Sequence, residues 1–450
     1  MSIEENEAFK VVEEQYTTME AITEAKRCLN CKKPTCVTGC PIGNHIPDFI
    51  HQLSLGNIGS AMSIINEKSN LPAICGRVCP HEKQCEGNCI LGKKGNPIRI
   101  GKLESFIADF DANMHLTREK LVQKTRGKVA VIGSGPAGLT VAGDLARKGF
   151  NVTIYERQEE AGGILTFGIP EYRLPKSVVR KEIKKIEELG VNFELNSTVG
   201  EDITVDDLFA HGYDAIFMGT GTALPMEMKG VPGVDLGGIV QSSHFLYAIA
   251  AYNQGAISRN MVPITSGDRV GVIGGGNVAM DAARTAIRLG ADVTIIYRRT
   301  QAEMPAIERE FNEAVEEGIK FYWQTSATEF YGDENNKLQK VKLVSPEGER
   351  IEDFDRIYLA IGSRPASRIV STTEGIETDE KGYVIVKDRP CGMTTRAGVF
   401  AGGDVVHRPQ TVVMAMKAAQ AVAEGIEQYV DAIKLMEDVG LIKNNDNEEA

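Results

Sequence analysis

The sequence predicts an α/β chain with two nested, Rossmann-like βαβ units behind a small all-helical domain. Three observations predict it. Eight of the nine cysteines fall between Cys28 and Cys89. A glycine fingerprint, Gly133-Ser-Gly135-Pro-Ala-Gly138, stands between an apolar strand and a helix. A second, Gly274-Gly-Gly276-Asn277-Val-Ala279, repeats the arrangement further on.

The cysteines read Cys28-x2-Cys31-x4-Cys36-x3-Cys40-Pro41, then Cys75-x3-Cys79-Pro80-x4-Cys85-x3-Cys89. Each iron of a cluster takes one thiolate, and short loops place several thiolates around one cube. A Cys-x3-Cys-Pro ending is also the pattern in which the last cysteine ligates the other cluster. The spacing therefore points to two iron–sulfur clusters with crossed ligation. Structural zinc is the plainer alternative, but it usually shows paired Cys-x2-Cys units, and only Cys28 and Cys31 form one. A disulfide framework is the other alternative and needs an oxidising compartment.

Composition bounds the function. A chain of 450 residues suggests two or three domains, each able to bury a core. A net charge of -12, with no basic stretch of nucleic-acid type, disfavours nucleic acid. Met1–Glu14 lacks a basic and an apolar region, so no signal peptide is expected. No apolar run reaches the length of a membrane span, and a cytoplasmic location is expected.

Residues 1–126 read as helices with loops at the cysteines. Met19–Arg27 is a strong helix former leading into Cys28, and His45–Leu55, Ile58–Glu67 and Leu103–Phe110 carry apolar residues at helical spacing. The polar linker Thr117–Gly127 marks a boundary.

Lys128–Ile132 is a strand, Leu139–Lys148 a helix, Asn151–Tyr155 a second strand, and Glu156 follows it. The glycines allow a tight turn and let backbone N–H groups approach a pyrophosphate at the helix N-terminus. The acid is placed to accept hydrogen bonds from an adenosine ribose. Ala161-Gly-Gly163-Ile-Leu165 comes next, then Gly168–Pro175 (GIPEYRLP) and the helix Ser177–Leu189. Asp214–Gly219 is a strand entering a glycine turn.

In the second copy the strands are Arg269–Ile273 and Asp292–Tyr297, around the helix Met280–Leu289. The acid is missing, and Arg298-Arg299 stand there instead. A carboxylate would repel a 2′-phosphate, whereas arginine pairs with it bidentately, so NADPH is expected over NADH. A solvated basic turn is the plain alternative. Phe321–Arg350 reads as strands with a polar turn, and Ile357–Ile361 leads to Gly362. Val399–Ala401 leads into Gly402-Gly403-Asp404 and the helix Val412–Ile426. Asp404 can hold a ribityl hydroxyl or pyrophosphate, and the helix dipole can face an electron-rich ring. Gly133, Gly135, Gly138, Glu156, Gly163, Leu165, Gly402, Gly403 and Asp404 are the candidate FAD residues. Gly274, Gly276, Asn277, Ala279, Arg298 and Arg299 are the candidate NADPH residues. The expected domains are 1–126 (helical), 127–262 with 363–430 (a split FAD domain) and 263–362 (NADPH), with an acidic tail at 431–450.

Taken together, Cys28–Cys40, Ile74–Pro80, Gly133–Gly138, Gly168–Lys176, Gly274–Arg284, Tyr297–Arg299, Met304–Ala306 and Ala401–Asp404 resemble the small (beta) subunit family of NADPH-dependent glutamate synthase. The same module occurs in the large subunit of the ferredoxin-linked NADH/NADPH transhydrogenase, in sulfide dehydrogenase and at the N-terminus of dihydropyrimidine dehydrogenase. The resemblance spans about residues 20–430. It implies a pyridine nucleotide-disulfide oxidoreductase-like fold behind a helical domain with two [4Fe-4S] clusters. It implies Cys28, Cys31, Cys36 and Cys89 at one cluster, and Cys40, Cys79, Cys85 and Glu104 at the other, with Cys75 spare. The alternative is that Cys75 completes the second cluster. It also implies an electron-input role: FAD, NADPH and the clusters feed a large catalytic subunit or a small flavin- or ferredoxin-linked one, with no protein acid, base or nucleophile needed. An inactive scaffold is the third reading, and the intact motifs count against it. His45, His51, His81 and His244 read as ordinary packing or surface, Cys391 as a small buried hydrophobe, and Arg173 and Lys176 as a loop beside the flavin or a partner, or a solvated one.

Overall fold

A computed structural model describes residues 9–10, 15–119 and 121–441. Most of the N-terminal segment, one linker residue and the end of the acidic tail lie outside the described residues. The chain divides into two compact units: 14–163 with 176–223 and 364–450, and 1–13 with 164–175 and 224–363.

The first unit holds the cysteine-rich helices and a five-stranded parallel sheet. The cysteine-rich helices are Thr18–Ala25, Thr35–Gly39, Ile46–Ser54, Ile58–Asn66, Pro72–Val78 and Ile100–Met114. Thr17 opens the first with a capping box, its side chain and Glu20 each bonding the other's backbone N–H. Apolar spacing buries Phe49, Ile50, Leu53, Ala61, Met62, Ile65, Leu103 and Ile107 in one core. Pro72–Val78 and Ile100–Met114 approach closely at Gly76, where a Cβ would lie 2.6 Å from the Gly101 carbonyl oxygen.

The sheet runs Val399–Ala401, Ala215–Met218, Lys128–Ile132, Asn151–Tyr155, Asn192–Glu194. Parallel strands buried on both faces need continuous apolar runs, and Val129–Ile132 are all buried. The helices also pack directly on this nucleotide-type domain. Asn70 donates to Asp144 of the fingerprint helix Pro136–Arg147 at 2.7 Å, and Glu182 of the helix Lys176–Glu188 caps Ala73 N at 3.2 Å. The Cys75 thiol lies 3.4 Å from Met416 Sδ in the helix Val412–Asp438. That helix runs a further three turns past its expected end at Ile426, through residues assigned to the tail.

The second unit repeats the parallel sheet in the order Ile239–Gln241, Arg356–Leu359, Arg269–Ile273, Asp292–Ile296, Lys320–Tyr322. A three-stranded antiparallel sheet, Ser326–Gly332, Leu338–Ser345 and Gly348–Asp353, is added to it. The edge strand Ile239–Gln241 and the helix Ser242–Asn253 precede the expected boundary at 263, so this unit begins earlier, at Leu224. It also takes in Ile164–Pro175. Among the described residues no helix is long and apolar enough to cross a membrane.

Candidate functional site

The first fingerprint loop has a glycine for each physical need. Gly133 has φ +94°, where L side chains are disfavoured. A Cβ on Gly138 would lie 1.9 Å from the Gly133 carbonyl oxygen. Gly135 has neither reason: its φ is -68° and a Cβ there would meet nothing within 4 Å. The protein itself does not require glycine at that point, whereas close approach of a pyrophosphate to the loop backbone would. The nested copy repeats this. A Cβ on Gly274 would strike the Ala360 carbonyl oxygen at 2.3 Å, whereas Gly276, at φ -91°, faces open space. Both loops thus fit a pyrophosphate.

Around the first loop the chain gathers most of the expected residues. Glu156 Oε2 accepts from Ser134 N at 3.0 Å and Ser134 Oγ at 2.6 Å, and Oε1 accepts from Gln158 N at 2.9 Å. Ser134 Oγ accepts in turn from Gly162 N at 2.9 Å. Gly163, at φ +54°, lies so close that its Cβ would be 3.1 Å from Gly135 Cα. Glu156 therefore braces the loop through Ser134 and keeps acceptor capacity on Oε1 for a ribose. Ser134 stands at a variable position of the fingerprint, so the pattern does not single it out. Gly403, at φ +75°, packs against Ala137 in the first turn of the fingerprint helix, where a Cβ on it would be 3.0 Å from the Ala137 Cβ, and Asp404 follows it. Burial raises the Asp404 carboxyl, and the Gln410 backbone N–H opposes this. Gly402 precedes that turn with extended backbone. Leu165 is buried in the short helix Ile164–Phe167, which belongs to the second unit, where Phe167 stacks on Tyr247 at 5.2 Å.

In the second unit Ile273 pairs with Ile296, as Ile132 pairs with Tyr155 in the first. The structural counterpart of Glu156 is therefore Tyr297. Its ring lies under Gly275, where a Cβ would come within 2.6 Å, and its hydroxyl donates to the Glu303 carbonyl at 3.0 Å. Arg298 and Arg299 follow, both exposed and outside any ion pair among the described residues. Asn277 uses its side-chain oxygen to accept from Ile307 N at 2.9 Å, and Gly275 O accepts from Ala306 N at 3.1 Å. Met304-Pro305-Ala306 thus braces the phosphate loop. Ala279 is fully buried behind it.

The loop Gly168–Pro175 is not a solvated one: it packs within the second unit. Tyr172 is buried, with Arg284 and Arg288 over its ring at 5.0 and 4.1 Å. Arg173 donates to Asp281 at 2.7 Å and pairs with Glu310 at 2.9 Å. Arg284, fully buried, pairs with Glu310 at 2.5 Å, Glu313 at 2.7 Å and Glu317 at 2.8 Å. Lys176 is buried at the start of its helix in the first unit.

The cysteines form two groups. Cys28, Cys31, Cys36 and Cys89 line one apolar pocket with Ile46, Ile50, Leu91 and Ile98. Burial pushes the Cys36 thiol up to about 11, with Cys28 and Cys89 adding to it. Around Cys40, Cys79 and Cys85 the carboxyl of Glu104 is a near neighbour of all three. Burial pushes the Cys40 thiol up to about 11 and holds Cys79 and Cys85 well above the ordinary range, with the Cys75–Cys79 hydrogen bond the leading cause at Cys79. Such thiols stay protonated and inert unless a cation deprotonates them. Glu104 is likewise buried, pushed up to about 8 by burial and then by Glu182, and among the described residues only Asn44 Nδ2 donates to it, at 3.2 Å. A buried acid without a cation beside thiols without a cation is a donor set suited to iron. Asn44 also offers its backbone N–H to Cys40, a role that its position four residues after that cysteine does not announce. Among the described residues no group of three or more His, Cys, Asp and Glu side chains is placed to hold a metal ion. His81 is buried, its Nε2 3.1 Å from the Cys75 carbonyl oxygen, while His51 and His244 are exposed and His45 lies 3.6 Å from Glu67. Cys391 is partly exposed rather than buried.

Two nested nucleotide-binding units behind a cysteine-rich helical domain define an oxidoreductase that carries iron–sulfur clusters. Residues 127–419 match the pyridine nucleotide-disulphide oxidoreductase family, and residues 5–116 match the family described as dihydropyrimidine dehydrogenase domain II, 4Fe-4S cluster. The chain is 37% identical to the glutamate synthase [NADPH] small chain of Halomonas elongata, over 94% of this chain and 93% of that one. It is 34% identical to the Escherichia coli K12 protein of the same name, over 94% of each. The chain belongs to the family of these glutamate synthase small chains. In fold it is similar to Mycobacterium tuberculosis FprA, solved in complex with NADPH, at a TM-score of 0.57 and 18% identity over 71% of this chain and 87% of that one.

Proposed function

We propose that this chain is the electron-input subunit of a glutamate synthase: it oxidises NADPH and delivers electrons to a larger catalytic chain. The observation that carries the reading is that the cysteine helices pack directly on the first nucleotide domain, with Cys75 against the helix that follows Gly402-Gly403-Asp404. FAD, when bound, takes a hydride from NADPH and gives up single electrons, which iron–sulfur clusters relay.

The residues have separable tasks. Gly135 and Gly276 leave room for two pyrophosphates, and the helix N-termini behind them favour the negative charge. Glu156 accepts from the FAD ribose while holding Ser134. Arg298 and Arg299 pair with the 2′-phosphate of NADPH. Cys28, Cys31, Cys36 and Cys89 hold one cluster; Cys40, Cys79, Cys85 and Glu104 hold the other. The apolar walls around the first group exclude water.

Anaerobic analysis is expected to find about eight iron and one FAD per chain, and NADPH is expected to bleach the flavin and raise a cluster EPR signal. Zinc in place of iron, or a flavin that NADPH leaves oxidised, overturns the reading. Arg298→Asp is expected to weaken NADPH binding by about 1.5–3 kcal/mol, one to two powers of ten, through the loss of a charge-assisted pair. NADH binding is expected to change much less, and equal losses for both nucleotides would remove Arg298 from the site.

A further inference from the structure

The chain is acidic as a whole, with 62 acids against 50 Lys and Arg. The two loops that carry Cys28, Cys31, Cys36 and Cys89 are the reverse. From Lys26 to Cys36 and from Cys89 to Arg99 there are seven lysines and arginines and no acid. Arg27 is engaged by Glu24, and Arg99 lies 3.6 Å from Glu86. The five lysines Lys26, Lys32, Lys33, Lys93 and Lys94 are all exposed and outside any ion pair among the described residues. The loops are tied together, Thr35 Oγ1 donating to Asn88 O at 2.5 Å and Arg27 to Asn96 O at 2.9 Å. They form one surface.

Within the lysines stand two apolar side chains that the core does not cover, Leu29 at 58% and Ile90 at 40% exposed. Both line the pocket of the first cysteine group, and the cysteines themselves are only partly buried. In the second group Cys79, Cys85 and Glu104 are buried, and Cys40 alone is partly exposed. The first group is therefore the more exposed of the two, with all four of its cysteines partly exposed, and the loops that carry it hold both the exposed apolar side chains and the unpaired lysines. Fold stability does not explain five unpaired lysines without an acid among them, since like charges repel. Association does: an apolar contact with a charged rim is the anatomy of a transient interface, and the rim sets orientation and on-rate.

We propose that this surface docks the electron-accepting partner, and that the partner's matching face is acidic, with carboxylates around an apolar contact over its own redox centre. The inference rests on the electron-input reading above and names the chemistry of the partner it requires. Lys32, Lys33, Lys93 and Lys94 steer the encounter, and Leu29 and Ile90 make the contact that excludes water between the two redox centres.

The test uses the holoprotein and, as probe, the glutamate synthase large chain of the same organism. Association is followed by stopped flow from 50 to 500 mM NaCl, for the wild type and for the quadruple variant K32E/K33E/K93E/K94E. The wild-type on-rate is expected to fall steeply with salt. The variant is expected to associate about 10–100-fold more slowly at 50 mM and to converge on the wild type at 500 mM, where screening removes the steering. Reduction of the variant's flavin by NADPH is expected to stay at the wild-type rate, which shows the chain to be folded and loaded. The neutral variant K32A/K33A/K93A/K94A is expected to fall between the two, and it carries the test if the reversed one loses iron. On-rates that are equal in all three proteins, or independent of salt, overturn the docking surface while leaving the electron-input reading in place. Failure of the wild type to bind the large chain at any salt overturns the glutamate synthase reading, and the docking proposal with it.

Discussion

Arg284→Met is expected to destabilise the second unit by about 3–5 kcal/mol. Arg284 is fully buried and faces Glu310, which is 1% exposed. Methionine fills much of the volume, so the loss is chiefly electrostatic: Glu310 keeps Arg173 and Glu317 keeps Arg288 at 2.6 Å, but all three acids lose the one fully buried cation that joins them. Taking one member from a buried network leaves charge without compensation, and this costs far more than the network contributes net. The pairs of Arg269 with Asp353 and Asp355 supply a control. They are 40–55% exposed, and Arg269→Met is expected to cost at most about 1 kcal/mol. Trp323, the only tryptophan, stacks on Phe321 at 5.1 Å within the same unit and reports its unfolding by fluorescence in urea. Added salt should shift the Arg269 result and leave the Arg284 result unmoved, because buried pairs are screened much less. A small loss for Arg284→Met would mean that water reaches the cluster and that the strap Tyr172–Arg173 is held by something else.

That network shows where sequence reasoning stops. Tyr172 and Arg173 lie in a motif with no periodicity, and their partners Asp281, Arg284 and Glu310 are more than 100 residues away along the chain. Patterns of period 2 or 3.6 report which face of an element is buried, not which distant element a loop meets. By contrast, the strands Lys128–Ile132, Asn151–Tyr155 and Arg269–Ile273 were legible to the residue, because an apolar run ending in a glycine turn has a sharp boundary. The fingerprint helices begin earlier than propensity suggests, at Pro136 and Asn277: proline suits a helix's first position, and Asn277 is tied there by accepting from Ile307 N. The compact unit takes in residues before 263 because Ile239–Gln241, too short a strand to announce itself, is recruited by pairing with Arg356–Leu359. The grouping of the cysteines was legible only in part. Spacing limits which thiols can share a loop, but the positions of Glu104 and Asn44 depend on how Ile100–Met114 packs, which local spacing does not contain.

Glu104→Ala is expected to cost the chain one of the two clusters proposed above, leaving about four iron rather than eight, whereas Cys75→Ser leaves both. The argument compares what each side chain already does. Cys75 lies within the helix Pro72–Val78, where its thiol meets the Met416 sulfur at 3.4 Å and the Cys79 thiol, and its carbonyl oxygen meets His81. These contacts satisfy a small buried thiol without any metal. Among the described residues Glu104 has only Asn44 for a donor, and burial has pushed its carboxyl up to about 8. A carboxylate in that position without a cation is unfavourable by its burial, and an iron atom among Cys40, Cys79 and Cys85 would remove the penalty. Glu104→Gln keeps an oxygen at the same place. It is expected to retain the iron and to shift the potential of that cluster alone, because the ligand's charge is lost while its position is kept. Iron and sulfide analysis with EPR of dithionite-reduced protein distinguishes the three variants. If Cys75→Ser drops to about four iron while Glu104→Ala keeps eight, the second cluster is all-thiolate, and Glu104 is a buried acid that Asn44 alone supports.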